Sequence, residues 1–203
     1  MINSKKNQVL VKKILLAAGS SKRYGSKNKL TEIINGKSMI KHILDTLLKV
    51  FDPGELLIIV GHEHKTIINL IDNKDVQIIH NKNYRGGIGT SISTGIKGLE
   101  STVQGVMIIP ADMPFILAED LDRLEKKFLE LDCQKVILPK HKSKIGNPAI
   151  LPKSYFKTLE NLNEDFGAKS KIKSSDTVTI EAKIGILFDI DTTIQLAKVK
   201  AKF

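Results

Sequence analysis

Residues 9–17 form a continuous apolar run broken only by Lys12 and Lys13, and Gly19 follows at its end. A run of this length and type suits a strand buried on both faces, and such a strand needs layers of helix on both sides of its sheet. The rest of the chain repeats the theme. Ser38 stands where it can cap a helix whose apolar positions Met39, Ile40, Ile43, Leu44, Leu47, Leu48 and Phe51 follow the helical period, and Pro53-Gly54 stops it. Leu56–Val60 then reads as a second buried strand, residues 65–71 as a short helix, and residues 76–80 as a third strand. Residues 103–109 supply another strand, and Leu121, Leu124, Phe128 and Leu131 mark the helix after it. Further strands are expected at 136–138, 178–180 and 186–190, with residues 146–152 a loop entering a strand. Weaker helices are expected at 155–162 and 168–173, and Thr193–Lys200 reads as the closing helix. Strands alternating with helices in this order predict a doubly wound α/β fold with a mostly parallel central sheet.

The chain of 203 residues, 41% of them hydrophobic, is long enough for one sizeable core, so a single domain over 1–203 is expected, with residues 1–7 a flexible tail. No stretch reaches the roughly 20 uninterrupted apolar residues of a membrane span. The basic N-terminus is followed by too short an apolar run for a signal peptide. One cysteine, Cys133, can form neither an internal disulfide nor a zinc site, which points to a reducing, cytoplasmic setting. The formal charge of +10 comes from lysines scattered along the chain. Nucleic-acid modules instead gather a basic stripe with stacking aromatics, so no nucleic-acid partner is expected. Arginine is sparse, with Arg23, Arg85 and Arg123 alone, and the first two lie in glycine-bearing loops.

In an open α/β sheet, ligands bind beyond the carboxyl ends of the strands. Three features fall there. In the loop from Leu16 to Leu30, the small residues Ala17, Ala18 and Gly19 let backbone approach a ligand, and free amides can cradle phosphates. Arg23 and Lys29 add positive charge to the same loop. The loop is neither the three-glycine dinucleotide fingerprint nor a P-loop. Asp112 follows the strand at 106–109 between Pro110 and Pro114, where it can ligate Mg²⁺ or cap the next helix. Asp189 and Asp191 are two apart, so an extended backbone points both the same way, toward a shared cation or into a solvated turn.

Leu16-Ala-Ala-Gly-Ser-Ser-Lys-Arg-Tyr-Gly, followed by Lys29-Leu30, resembles the signature loop of the Rossmann-like nucleotidyltransferases. Within that superfamily the chain is most similar to the molybdenum-cofactor cytidylyltransferase branch of the molybdopterin nucleotidyltransferase-like proteins. Later blocks come in the family's order: Asn81 with the glycine-rich stretch 84–95, Pro110-Ala-Asp-Met-Pro114, Gly146-Asn-Pro148, Phe166-Gly-Ala168 and Asp189-Ile-Asp-Thr192. The resemblance implies a Rossmann-like three-layer α/β/α sandwich binding a nucleoside triphosphate, CTP favoured. Its nucleotidyl group would pass to a small phosphorylated acceptor such as molybdopterin.

Carried over by residue, the resemblance puts backbone from Leu16 through Ala17 and Ala18 to Gly19 on the nucleotide, with Arg23 and Lys29 on its phosphates. Ser91, in a loop entering the next helix, would lie near base and ribose. Asp112 and Asp191 would hold Mg²⁺, with Asp189 the competitor of Asp191. Lys29 stands one position farther from Arg23 than is usual in the branch, so Lys27 competes for its role. Gly146-Asn-Pro replaces the usual Gly-His-Pro, and the proline that commonly follows the Asp189 block is missing. The alternatives are a sugar-phosphate or alcohol-phosphate nucleotidyltransferase and a nucleotide-binding regulator without turnover. His62, His64 and His141 read as surface or turn residues, and Cys133 as a small buried one.

Overall fold

The computed structural model of the protein describes residues 10–21, 24, 27–72, 75–163 and 167–200. Strand β1 (Leu10–Ala17) is buried from its second residue onward, lysines included. Alternation sends Val11, Leu15 and Ala17 into one core, and Ile14, Leu16 and the following Ala18 into the other. Lys13 does not break the strand. Its fully buried ammonium lies 2.9 Å from Glu55 Oε2, 2.8 Å from Glu125 Oε1 and 4.0 Å from the centre of the Phe51 ring. Burial pushes the Glu125 carboxyl above its ordinary pKa, although the Lys13 ammonium pulls it down.

After a short 3-10 turn at Lys29–Thr31 comes a hairpin of β2 (Ile33–Ile34) and β3 (Lys37–Ser38). Asn35 and Gly36 join the strands at positive φ, 47° and 81°, as a tight hairpin turn requires. Ser38 holds the N-cap position of α1 (Met39–Leu48) but makes no capping bond. Its backbone pairs with Ile33 in the hairpin, and the first helical amide, of Met39, donates to Glu32 O instead. β4 (Leu56–Val60), α2 (His64–Leu70) and β5 (Gln77–His80) follow as expected.

A helix that the apolar period did not mark, α3 (Ile88–Lys97), precedes β6 (Val103–Pro110). Next come α4 (Ala118–Glu130), β7 (Val136–His141), β8 (Lys144–Ile145) and β9 (Ala149–Pro152). Of the weaker helices, 155–162 resolves into a 3-10 turn and α5 (Phe156–Glu160), and 168–173 into a single 3-10 turn, Ala168–Lys171. β10 (Thr177–Glu181) and α6 (Thr193–Lys200) complete the order. The strand expected at 186–190 does not form. A 3-10 turn, Ile184–Leu187, covers its start, and two of its backbone groups bond to other loops: Ile186 O accepts from Asn147 N, and Ile190 N donates to Asp112 O.

The main sheet runs β10-β7-β9-β6-β1-β4-β5, with β8 paired to β7. β9 is antiparallel to β6 and β7, while β1 is parallel to both its neighbours, β4 and β6. One core packs this sheet against α1, α4, Ile67 of α2 and Leu196 of α6. The other packs it against Ile92 and Ile96 of α3 and Leu159 of α5. The fold is therefore the expected three-layer α/β/α sandwich with a mostly parallel sheet. From β1 the chain moves outward to β4 and β5, then returns to place β6 on the other side. This reversal leaves a crevice over the carboxyl ends of β1 and β6. No helix among the described residues is long and apolar enough to cross a membrane.

Candidate active site

A cavity of about 710 Å³ occupies this crevice, with Leu16, Ala18 and Gly19 at the end of β1 on its wall. Ala17 is not on that wall, because strand alternation turns its side chain into the core under α1. A Cβ added at Gly19 would meet no atom within 4 Å, so the space above its backbone is open to a ligand. Gly61, by contrast, is needed for close packing. A Cβ there would stand 2.6 Å from Tyr84 Cβ and 2.8 Å from Ala18 Cβ, so glycine lets the Tyr84 wall close against the end of β1.

The route to Lys29 is fixed by short polar side chains. Ser21 Oγ accepts from the Lys29 amide at 3.2 Å, and Asn28 Oδ1 accepts from the Leu30 amide at 3.1 Å. The buried Asn28 also donates to His62 O at 3.3 Å, tying the turn to the end of β4. Lys29 then enters the cavity, whereas Lys27 is exposed and does not line it. Lys29 Nζ lies 2.5 Å from Asp112 Oδ2 and 2.7 Å from Asp191 Oδ1. Burial works against the ammonium, but the two carboxylates more than offset it, so the lysine pKa is raised.

Asp112 caps no helix, since the N-cap of α4 is Leu117. Its backbone carbonyl accepts from Ile190 N at 3.0 Å, which brings the distant segment 190–191 alongside. Asp191 is held there by a capping box. Gln195 Oε1 accepts from the amides of Asp191 and Thr192 at 2.8 and 2.9 Å, and the Gln195 amide donates to Thr192 Oγ1 at 3.2 Å. Asp189 is exposed and off the cavity wall. Asp112 Oδ1 is buried and takes no hydrogen bond among the described residues. An unpaired buried carboxylate oxygen is costly unless a cation or donor occupies the site. Among the described residues no three His, Cys, Asp or Glu gather as a metal cage. Two convergent carboxylates are hard oxygen donors that suit a divalent cation, whose remaining positions water and substrate phosphates commonly fill.

The opposite wall is the start of α3. Gly87 takes φ 98° at its N-cap, a conformation side chains resist, and Tyr84 and Arg85 line the cavity beside it. Ser91 lies within α3 rather than in a loop before it, and it too faces the cavity. Asn81, which carried no assigned role in the sequence, organises this wall. Its amide nitrogen donates to Thr90 Oγ1 at 2.9 Å and Ser91 Oγ at 3.0 Å, and its oxygen accepts from Asn83 N at 2.9 Å. An Asn directly after a strand, in an Asn-x-Asn turn, was the signal available for it. The histidines serve packing: His62 tilts against Tyr84, His64 stacks on His80, and His141 Nδ1 lies 2.9 Å from Ala182 O. Arg23 and Phe166 lie outside the described residues, as do residues 1–7.

The arrangement therefore offers open backbone, a lysine anchored by its loop and two convergent carboxylates: the parts needed to hold phosphates and a divalent cation. Relatives share this fold. The chain is 33% identical to a bifunctional protein GlmU of Thermosipho africanus over 164 residues, 80% of this chain and 34% of that one. It spans about a quarter to a third of the length of the curated relatives it matches. Rv0371c of Mycobacterium tuberculosis superposes with a TM-score of 0.80 at 16% identity, covering 95% of this chain and 98% of that one. Molybdopterin-guanine dinucleotide biosynthesis protein A of Archaeoglobus fulgidus superposes with a TM-score of 0.66 at 19% identity, covering 94% and 97%. The family model described as MobA-like NTP transferase domain matches residues 13–178, and the chain belongs to that family of nucleotidyltransferases.

Proposed function

We propose that the chain transfers a nucleoside monophosphate from a nucleoside triphosphate, CTP favoured, to the terminal phosphate of a small acceptor, with release of pyrophosphate. The observation that carries this reading is the convergence of Asp112 and Asp191 on Lys29, at 2.5 and 2.7 Å, on the wall of the cavity. The backbone from Leu16 to Gly19 receives the nucleotide. Lys29, and Arg23 by its place in the signature loop, take the charge of the phosphates, and Ser91 stands beside base and ribose. An acceptor phosphate is ionised at neutral pH, so it attacks the α-phosphorus without a side-chain base. The residues' work is to align attacking and leaving oxygens and to neutralise charge as it shifts to pyrophosphate. Mg²⁺ bound by Asp112 and Asp191 would supply Lewis-acid neutralisation of the α-phosphate. The buried, unpaired Asp112 Oδ1 fits that ligand role.

Preference for CTP rests on Ala18, where guanylyl-transferring relatives usually carry glycine. Molybdopterin is the first acceptor to test. The free, buried thiol of Cys133 supports a reducing, cytoplasmic setting. Pyrophosphate release should be measured with each of the four ribonucleoside triphosphates, with and without Mg²⁺, against molybdopterin, sugar phosphates and alcohol phosphates. Mg²⁺-dependent release that is fastest with CTP and molybdopterin supports the proposal. Release with a sugar phosphate alone replaces the acceptor, and nucleotide binding without release across the whole panel refutes transferase activity.

A further inference from the structure

We propose that Lys29 is an internal occupant of the divalent-cation position, so that metal binds well only after a triphosphate has drawn the ammonium away from Asp112 and Asp191. The inference rests on the site being the nucleotide site proposed above. Nζ touches an oxygen of each carboxylate, at 2.5 and 2.7 Å, so a divalent cation held by those same two oxygens would have to displace it. An ammonium and a dication cannot share that point, because like charges so close repel strongly in a half-buried site. The side chains of Lys29, Asp112 and Asp191 are only 13%, 19% and 17% exposed, so water does little to screen the contest.

The means of release is also present. The Lys29 backbone is pinned by Ser21 Oγ and the turn that begins at Asn28, while the side chain is a flexible stem. It can swing across the cavity to a phosphate without moving the loop. A triphosphate brings several negative charges to the same cavity and offers the ammonium a better partner than two aspartates that a dication also seeks. Nucleotide and metal then favour each other's binding, and the coupling is reciprocal by thermodynamic necessity.

The test uses the full chain and Mn²⁺ alone as the probe, with bound ion counted by electron paramagnetic resonance and no nucleotide present. Lys29→Met keeps the aliphatic stem and removes the charge, and should bind Mn²⁺ at least about tenfold more tightly than wild type. Lys29→Arg keeps the charge and should stay close to wild type. Adding Asp112→Asn to Lys29→Met should abolish the gain. Thermal unfolding of each variant checks folding, and Lys29→Gln replaces Lys29→Met if the latter does not fold. Equal Mn²⁺ affinity in wild type and Lys29→Met overturns the proposal. So does a gain that survives Asp112→Asn, or no Mn²⁺ binding by either protein. These isotherms are independent of turnover: coincident isotherms in an active enzyme refute the lysine's role alone, and absent pyrophosphate release refutes the transferase reading alone.

Discussion

Replacing Lys13 by methionine tests how a buried lysine is accommodated in the central strand. Methionine fills most of the same volume and keeps contact with Phe51, so the change removes mainly the charge. What it leaves behind is Glu55 and Glu125, which now meet the ammonium at 2.9 and 2.8 Å. Breaking a fully buried ion pair by removing one partner costs several kcal/mol. Glu55 and Glu125 retain 25% and 19% of their side-chain exposure, so solvent recovers part of this. The expected loss at neutral pH is about 2–4 kcal/mol, a fall in Tm of roughly 5–12 °C for a chain of this size.

The pH dependence of that loss has a definite sign. Glu125 is held above its ordinary pKa, so folding favours its protonated form. That contribution is fully present below the unfolded-state value and is lost as pH rises through the raised folded value. Removing the ammonium removes the influence that opposes the shift, so the carboxyl of the variant takes up a proton at higher pH than in wild type. Urea unfolding from pH 7 down to about pH 5 should therefore show the gap between variant and wild type narrowing on acidification. A loss under about 1 kcal/mol at pH 7, or a gap that widens on acidification, refutes this role for the Lys13 ammonium.

Other changes probe the cavity. Asp191→Ala should raise the Mg²⁺ concentration needed for half-maximal pyrophosphate release and lower the maximal rate, with a milder effect from the exposed Asp189→Ala; the reverse order in a magnesium titration exchanges their roles. Lys29→Ala should weaken triphosphate binding by about tenfold or more, against little change for Lys27→Ala, as measured by calorimetry. Asn81→Ala removes three hydrogen bonds behind Ser91 and should raise KM for the triphosphate several-fold with a smaller effect on kcat, in steady-state assays.

The sheet was legible because strands buried on both faces leave long apolar strings, and β1, β4 and β6 are of that kind. α3 was not, because its inner face is built from Gly89, Ser91, Ser93 and Gly95 as well as Ile92 and Ile96. A Cβ at Gly95 would stand 2.9 Å from Ile14 Cγ2, so small residues there let the helix lie close on β1 while erasing the apolar period. The hairpin at Asn35-Gly36 carried a strong turn signal in strands too short for alternation to show. The segment 186–190 misled in the other direction, since Ile186 and Ile190 are buried without strand pairing while Phe188 is exposed. Both aspartates could be proposed from their places after apolar runs and from the family resemblance. Their meeting on Lys29 could not, because it joins positions 83 and 162 residues away from that lysine. Only the return of the chain to the same sheet end brings them together.

The proposed metal-dependent nucleotidyl transfer depends above all on Asp112, the strand-end carboxylate, with Asp191 as its partner. The most direct test of that dependence is Mg²⁺-dependent pyrophosphate release by Asp112→Ala at saturating triphosphate and acceptor, beside thermal unfolding of the same preparation. A folded variant whose turnover is lower by about a thousandfold or more is expected. A folded Asp112→Ala that releases pyrophosphate at the wild-type rate contradicts that dependence.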